Sequence, residues 1–155
     1  MPYDISRRAA LAMVGVGWVS SAAAQETGKT VTFDVPLSGQ MQVPPVNTPG
    51  KGTASISYDP STRGVSWNIV YQGLTSDLTM AHFHGPAPEG KNAAVQVWLT
   101  NKGTTLPPSG SIKGSATLTP AQAKMFTAGD MYINVHTKDH PAGEIRGQVM
   151  PPKAA

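Results

Sequence analysis

The chain has 155 residues, enough for one domain, and its formal net charge of +3 is too small to mark a polyanion partner such as nucleic acid. It carries 16 glycines and 14 prolines against 6% aromatic and 14% charged residues, which excludes a helical bundle or coiled coil and favours short strands joined by turns. Cysteine is absent, which excludes a disulfide scaffold, a thiolate metal site and a cysteine nucleophile.

The first residues read as an export signal. Arg7 and Arg8 form a positive region, an apolar run extends from Ala9 to Val19, and the small residues Ala22-Ala23-Ala24 offer a cleavage site after Ala24. The apolar run is too short and too rich in alanine and glycine to span a membrane. Residues 1–24 are therefore expected to be removed, leaving residues 25–155 as one domain with its packed part at about 30–151. Loss of Asp4, Arg7 and Arg8 would reduce the net charge to +2. The expected location is periplasmic or secreted. Ser6-Arg7-Arg8 is compatible with twin-arginine export, and the general secretory route serves equally well.

From there the chain alternates apolar and polar residues in short runs. Val31, Phe33 and Val35 share one face of a strand that Pro36 is expected to end. Ala54, Ile56 and Tyr58 form the next, closed by Asp59-Pro60-Ser61, and Val65, Trp67, Ile69 and Tyr71 the third. Ala81 and Phe83 oppose Met80, His82 and His84. Val95, Val97 and Leu99 follow, then a loop over 100–110, a strand over 115–118, and strands over 131–137 and 144–149. One segment breaks the pattern. Thr119-Pro120 supplies an N-cap and a first-turn proline, and Gly129 stands where a C-terminal cap falls, so a short helix is expected near 120–128. Ala121, Met125 and Phe126 are its expected apolar stripe. The fold class is all-β, a two-sheet antiparallel β-sandwich with Greek-key-like connections and one short helix plugging an end.

All four histidines fall in two stretches, His82-Phe83-His84 and His136-Thr137-Lys138-Asp139-His140. Residues two apart in a strand point to one face about 6.5–7 Å apart, so two imidazoles can converge on one ion while Phe83 enters the core. His136, on another strand, is the natural third donor, and His140 is a fourth candidate in the following loop. Histidines without thiolates suit copper or zinc, whereas calcium and magnesium want clustered oxygens. Met80 lies on the same expected face, and its thioether would favour copper. Glu144 and Arg146 share a strand face from which they could orient an imidazole; for Arg146 a cross-strand contact that fixes the sheet register is the preferred reading. No catalytic triad, phosphate-cradling loop or isolated carboxylate pair emerges, so no catalytic or organic-cofactor residues are assigned.

Val43-Pro44-Pro45-Val46, Ala81-His82-Phe83-His84-Gly85-Pro86-Ala87, Tyr132-Ile133-Asn134-Val135-His136-Thr137, Pro141 and Gly143-Glu144-Ile145-Arg146-Gly147-Gln148 together resemble a CHRD domain, a module known from chordin and widespread in bacterial exported proteins. The resemblance runs from about Thr30 to Pro151. It implies an all-β extracytoplasmic module; in chordin the module belongs to a growth-factor antagonist. His82, His84 and His136 match positions of the family pattern. His140 stands where the family more often has another residue, and Gln42 stands where an acidic residue is common. The H-x-H strand is also similar to the copper strand of copper/zinc superoxide dismutases, a likeness confined to a tripeptide and a fold class.

Three functions follow as expectations. The first is an exported protein that stores, delivers or sequesters copper or zinc. The second is a structural or adhesive module that recognises an envelope protein or polymer. The third is a copper-dependent redox enzyme of the dismutase type. Affinity for the metal is expected to fall as pH drops towards 5, because free imidazole titrates near pH ~6.5.

Overall fold

Alternation of apolar and polar side chains produces strands almost everywhere it occurs. The computed structural model describes residues 28–153, and the export signal expected at residues 1–24 lies outside them. In chain order the elements are β1 (Val31–Ser38), a 3-10 turn (Gly39–Met41), β2 (Lys51–Asp59), β3 (Gly64–Gln72), β4 (Leu78–His84), β5 (Val95–Trp98), β6 (Gly110–Thr117), α1 (Pro120–Ala128), β7 (Met131–Thr137) and β8 (Ile145–Val149).

The strands pair antiparallel in the order β5-β4-β7-β8-β1-β2-β3-β6. Between β8 and β1 the ladder narrows to one register pair, Ser38 opposite Arg146. This seam separates the leaf β5-β4-β7-β8 from the leaf β1-β2-β3-β6, giving the expected two-sheet architecture. Apolar side chains of both leaves meet between them. Trp67 of β3 packs edge-on against Phe83 of β4, with ring centroids 6.0 Å apart at 84°.

The helix closes one end of this core. Phe126 is fully buried and lies 6.1 Å from Phe33, 4.8 Å from Tyr58 and 6.1 Å from Phe83 between ring centroids. Its start is fixed by a capping box: Gln122 N–H donates to Thr119 Oγ1 at 3.2 Å, and Thr119 N–H donates to Gln122 Oε1 at 2.9 Å. Its end is fixed by Gly129, whose φ of +80° lies in the left-handed region that glycine enters without strain. The buried stripe is Ala123 with Phe126, and Met125 packs only partly; Ala121 faces solvent, unlike the expectation.

Two strand boundaries differ most from the sequence reading. β1 continues through Pro36, which pairs in register with Thr53. Because β1 meets β8 at a single pair, most of its length resembles an edge strand, where a missing N–H disrupts little. β6 begins at Gly110, well before residue 115. Gly110 and Gly114 interrupt its pattern, yet β3 supplies a continuous ladder from Gly64 opposite Thr117 to Tyr71 opposite Gly110. The partner strand overrides weak local propensity.

β7 departs furthest from simple alternation, because every one of its residues is buried. Ile133 and Val135 face the inter-sheet core. Tyr132, Asn134 and His136 point to the opposite face, which loops cover. Gln42 Nε2 donates to Asn134 Oδ1 at 2.7 Å, and Asn92 Nδ2 donates to the Val43 carbonyl at 2.9 Å. The protein therefore has a second, polar interior on the outer face of the β5-β4-β7-β8 leaf.

Candidate metal centre

Strand register assembles the polar interior. His82 lies opposite Asn134, His84 opposite Tyr132 and Met80 opposite His136 across the β4–β7 ladder. Directly paired residues project to the same face, so the histidines of β4 and β7 share one surface. Each of His82, His84 and His136 offers one ring nitrogen, and these atoms lie within 4.8 Å of one another. His82 Nδ1 is 3.3 Å from His136 Nε2. Nitrogens tetrahedrally bound at about 2.0–2.1 Å from one ion would sit roughly 3.3 Å apart, so the trio needs only a modest contraction to hold one.

Backbone carbonyls set two of the three tautomers. His84 Nδ1 is 2.9 Å from the Ala93 carbonyl, and His136 Nδ1 is 2.9 Å from the Pro141 carbonyl. A carbonyl only accepts, so Nδ1 carries the proton in both rings and each Nε2 keeps its lone pair. Among the described residues the Nε2 atoms of His82 and His84 are buried with no hydrogen-bond partner. On His84 this is the nitrogen that the Ala93 bond leaves free, and leaving it unpaired costs about 1–3 kcal/mol, a cost that a bound ion would remove.

Aromatic groups enclose the trio. Trp98 is the register partner of His82 and stands perpendicular to it, 4.2 Å between ring centroids. On the other side Tyr132 stacks on His84 at 4.9 Å and 6°, and the Arg146 guanidinium lies 3.5 Å above the far face of Tyr132. Arg146 is itself held by Asn92 Oδ1 at 2.9 Å and the Lys91 carbonyl at 2.6 Å. This three-layer stack fixes the His84 ring plane.

Burial controls the charge of the cluster. It lowers the His82 pKa to about 4, with further lowering from His136 and His84. Burial also lowers the pKa of His84, opposed by its bond to Ala93 and reinforced by Arg146. The same holds for His136, where the Pro141 bond opposes burial and His84 reinforces it. All three rings are thus neutral at pH 7, the form that binds metal. Proton competition sets in below the value for a free imidazole, which moves the expected loss of metal affinity to more acidic pH than the sequence alone implied.

The metal-free protein should lose stability on acidification. Between pH 6.5 and about 4 the unfolded chain protonates His82 and the folded chain resists, and the lowered His84 and His136 act in the same direction, so stability is full above 6.5 and declines on acidification. For His82 alone the loss by pH 5 is on the order of 1–2 kcal/mol. Urea midpoints recorded from pH 7.5 to 5 should fall in wild type and fall less in His82→Phe. Parallel curves would contradict this account.

The remaining sequence candidates are placed as follows. Met80 is half-buried on the His136 register position. His140 is not part of the trio; its backbone caps the β7–β8 loop, donating to Thr137 Oγ1 at 3.2 Å and accepting from Gly143 N–H at 3.0 Å. Glu144 reaches no imidazole. It is fully buried and accepts from Thr48 Oγ1, Thr75 N–H, Thr75 Oγ1 and Thr137 Oγ1 at 2.6–3.0 Å. The sequence reading did not find Tyr132, Trp98, Ala93 or Gln42 as parts of the site, since each acts through a neighbour distant in sequence.

The CHRD domain family pattern matches residues 33–149, from within β1 to the end of β8. The chain belongs to the CHRD domain family. This CHRD chain is 32% identical to chordin of Danio rerio over 124 residues, covering 76% of this chain and 13% of that protein. It is likewise 32% identical to chordin of Xenopus laevis over 126 residues, covering 77% of this chain and 13% of that protein. The chain spans only a small part of the length of the curated relatives it matches. The three clustered histidines lie inside the CHRD match.

Proposed function

We propose that this CHRD protein binds one transition-metal ion on His82, His84 and His136, and stores, delivers or sequesters it outside the cytoplasm. The observation that carries the reading is the convergence of three buried, neutral imidazoles, two with Nδ1 protons committed to carbonyls. Three nitrogen donors without thiolate or nearby carboxylate suit copper or zinc over calcium or magnesium. Copper is favoured, because Met80 occupies the position opposite His136 on the same face and carries a soft thioether. The arginine pair and apolar run of residues 1–24 support export to the periplasm or the exterior. Among the described residues no helix is long and apolar enough to cross a membrane.

Calorimetric titration of the untagged full chain with Cu(II) and Zn(II) tests the proposal. One equivalent should bind tightly, and Cu(II) should quench the emission of Trp98, whose ring contacts His82. Trp98→Phe should remove most of the quenching while leaving the stoichiometry unchanged. Millimolar isotherms for both ions would overturn the reading and leave the envelope-module function standing. Superoxide consumption by the copper-loaded protein above that of the free ion would instead identify the redox enzyme.

A further inference from the structure

β5 and β6 are the outermost strands of the sheet, and both contribute to a cleft of about 350 Å³. It is lined by residues 98–101, at and just beyond the end of β5, and by residues 111–115 of β6. Successive strand side chains point to opposite faces. A cleft lined by five consecutive strand residues therefore runs along the backbone edge of β6, not over one of its faces. An outermost strand carries N–H and C=O groups on that edge that no neighbouring strand pairs.

A second, independent feature borders the same cleft. Trp67 lines it, is only 6% exposed, and its indole Nε1–H has no hydrogen-bond partner among the described residues. Trp67 lies opposite Gly114 in the β3–β6 ladder, and a Cβ on Gly114 would come within 2.6 Å of the indole ring. The glycine lets the indole lie across β6 towards the cleft. Charge at the cleft is of one sign. Lys113 lines it, Lys102 Nζ lies 5.1 Å from the centre of the Trp98 ring, and no Asp or Glu is among the lining residues.

We propose that this cleft receives an extended polypeptide segment with acidic side chains. The segment adds as a strand to the free edge of β6, in the manner of β-augmentation. One of its oxygens accepts from Trp67 Nε1–H, and its carboxylates meet Lys113 and Lys102. A run of about five or six residues, roughly 17–20 Å, matches the lined length of β6. A second copy of β6 is a poor occupant, because it would bring two Lys113 side chains together. The proposal does not depend on the metal site.

The test starts from a random octapeptide library selected on the full chain. The recovered peptides are synthesised and followed by backbone amide NMR. Expected are peptides enriched in Asp and Glu, with shifts concentrated at residues 111–115. Methylating alternate backbone nitrogens of the peptide should weaken binding at least tenfold, as should Lys113→Glu, whose amide spectrum reports that it remains folded. Absence of binders tighter than about 1 mM, shifts elsewhere, or indifference to both N-methylation and Lys113→Glu would each overturn the proposal.

Discussion

Replacing His84 or His136 with alanine is expected to lower Cu(II) and Zn(II) affinity by at least about a hundredfold, more than loss of a typical outer partner of a metal ligand. Each ring is preorganised: a carbonyl holds Nδ1, and for His84 the Tyr132 and Arg146 stack fixes the ring plane. The ion gains that geometry without ordering three free side chains, and loss of one donor leaves two nitrogens with no third to close the site. The difference is also visible as linkage. Metal at a hundred times its dissociation constant stabilises the wild-type fold by about 2.7 kcal/mol, and should stabilise either variant by far less. Thermal unfolding with and without metal measures it. Equal metal-induced shifts in wild type and both variants would place the ion elsewhere.

The largest stability effect is expected at a residue outside the trio. Glu144→Ala should cost about 3–4 kcal/mol. The carboxylate is 0% exposed, and its four hydrogen bonds come from neutral groups: Thr48 before β2, Thr75 between β3 and β4, and Thr137 at the end of β7. One side chain thus ties three distant segments together where β8 begins. Truncation would leave the Thr75 N–H and the buried Thr137 hydroxyl without their acceptor and release all three segments. Glu144→Gln keeps the shape but presents an NH₂ to hydroxyl donors, so about half that loss is expected. Burial alone would raise the Glu144 pKa, but the bonds from Thr48, Thr137 and Thr75 outweigh it and the net shift is downward. The contribution is therefore present above the ordinary carboxylate value of about 4.5 and is lost as pH falls below it. Urea unfolding of both variants at pH 7 measures the effect. A midpoint unchanged in Glu144→Ala would refute the account.

His82 and His84 are legible as a pair because strand periodicity alone puts them on one face with Phe83 opposite. His136 is legible as a third member because it belongs to another alternating strand. Glu144 reads as a partner for an imidazole, since a carboxylate near histidines on a strand commonly serves that role. Its three threonine partners are separated from it by between 7 and 96 positions, and nothing local distinguishes them from solvent-facing threonines. Tyr132 likewise reads as one more polar-face strand residue; only the β4–β7 register puts it flat against His84.

The sequence by itself determined the all-β class, the helix with both of its caps, the strand faces and the family, because these depend on period-two alternation, capping chemistry and turn residues that act over a few positions. Tertiary structure alone decided how the histidine pair meets His136, which ring nitrogens stay free, and that the polar face of β7 lies beneath loops instead of in water. Those outcomes depend on register between strands and on carbonyls at Ala93 and Pro141, and a backbone carbonyl is the same in every residue. It also decided that Trp67 packs against Gly114 of an outermost strand, since which strands are outermost is known only once the sheet order is set.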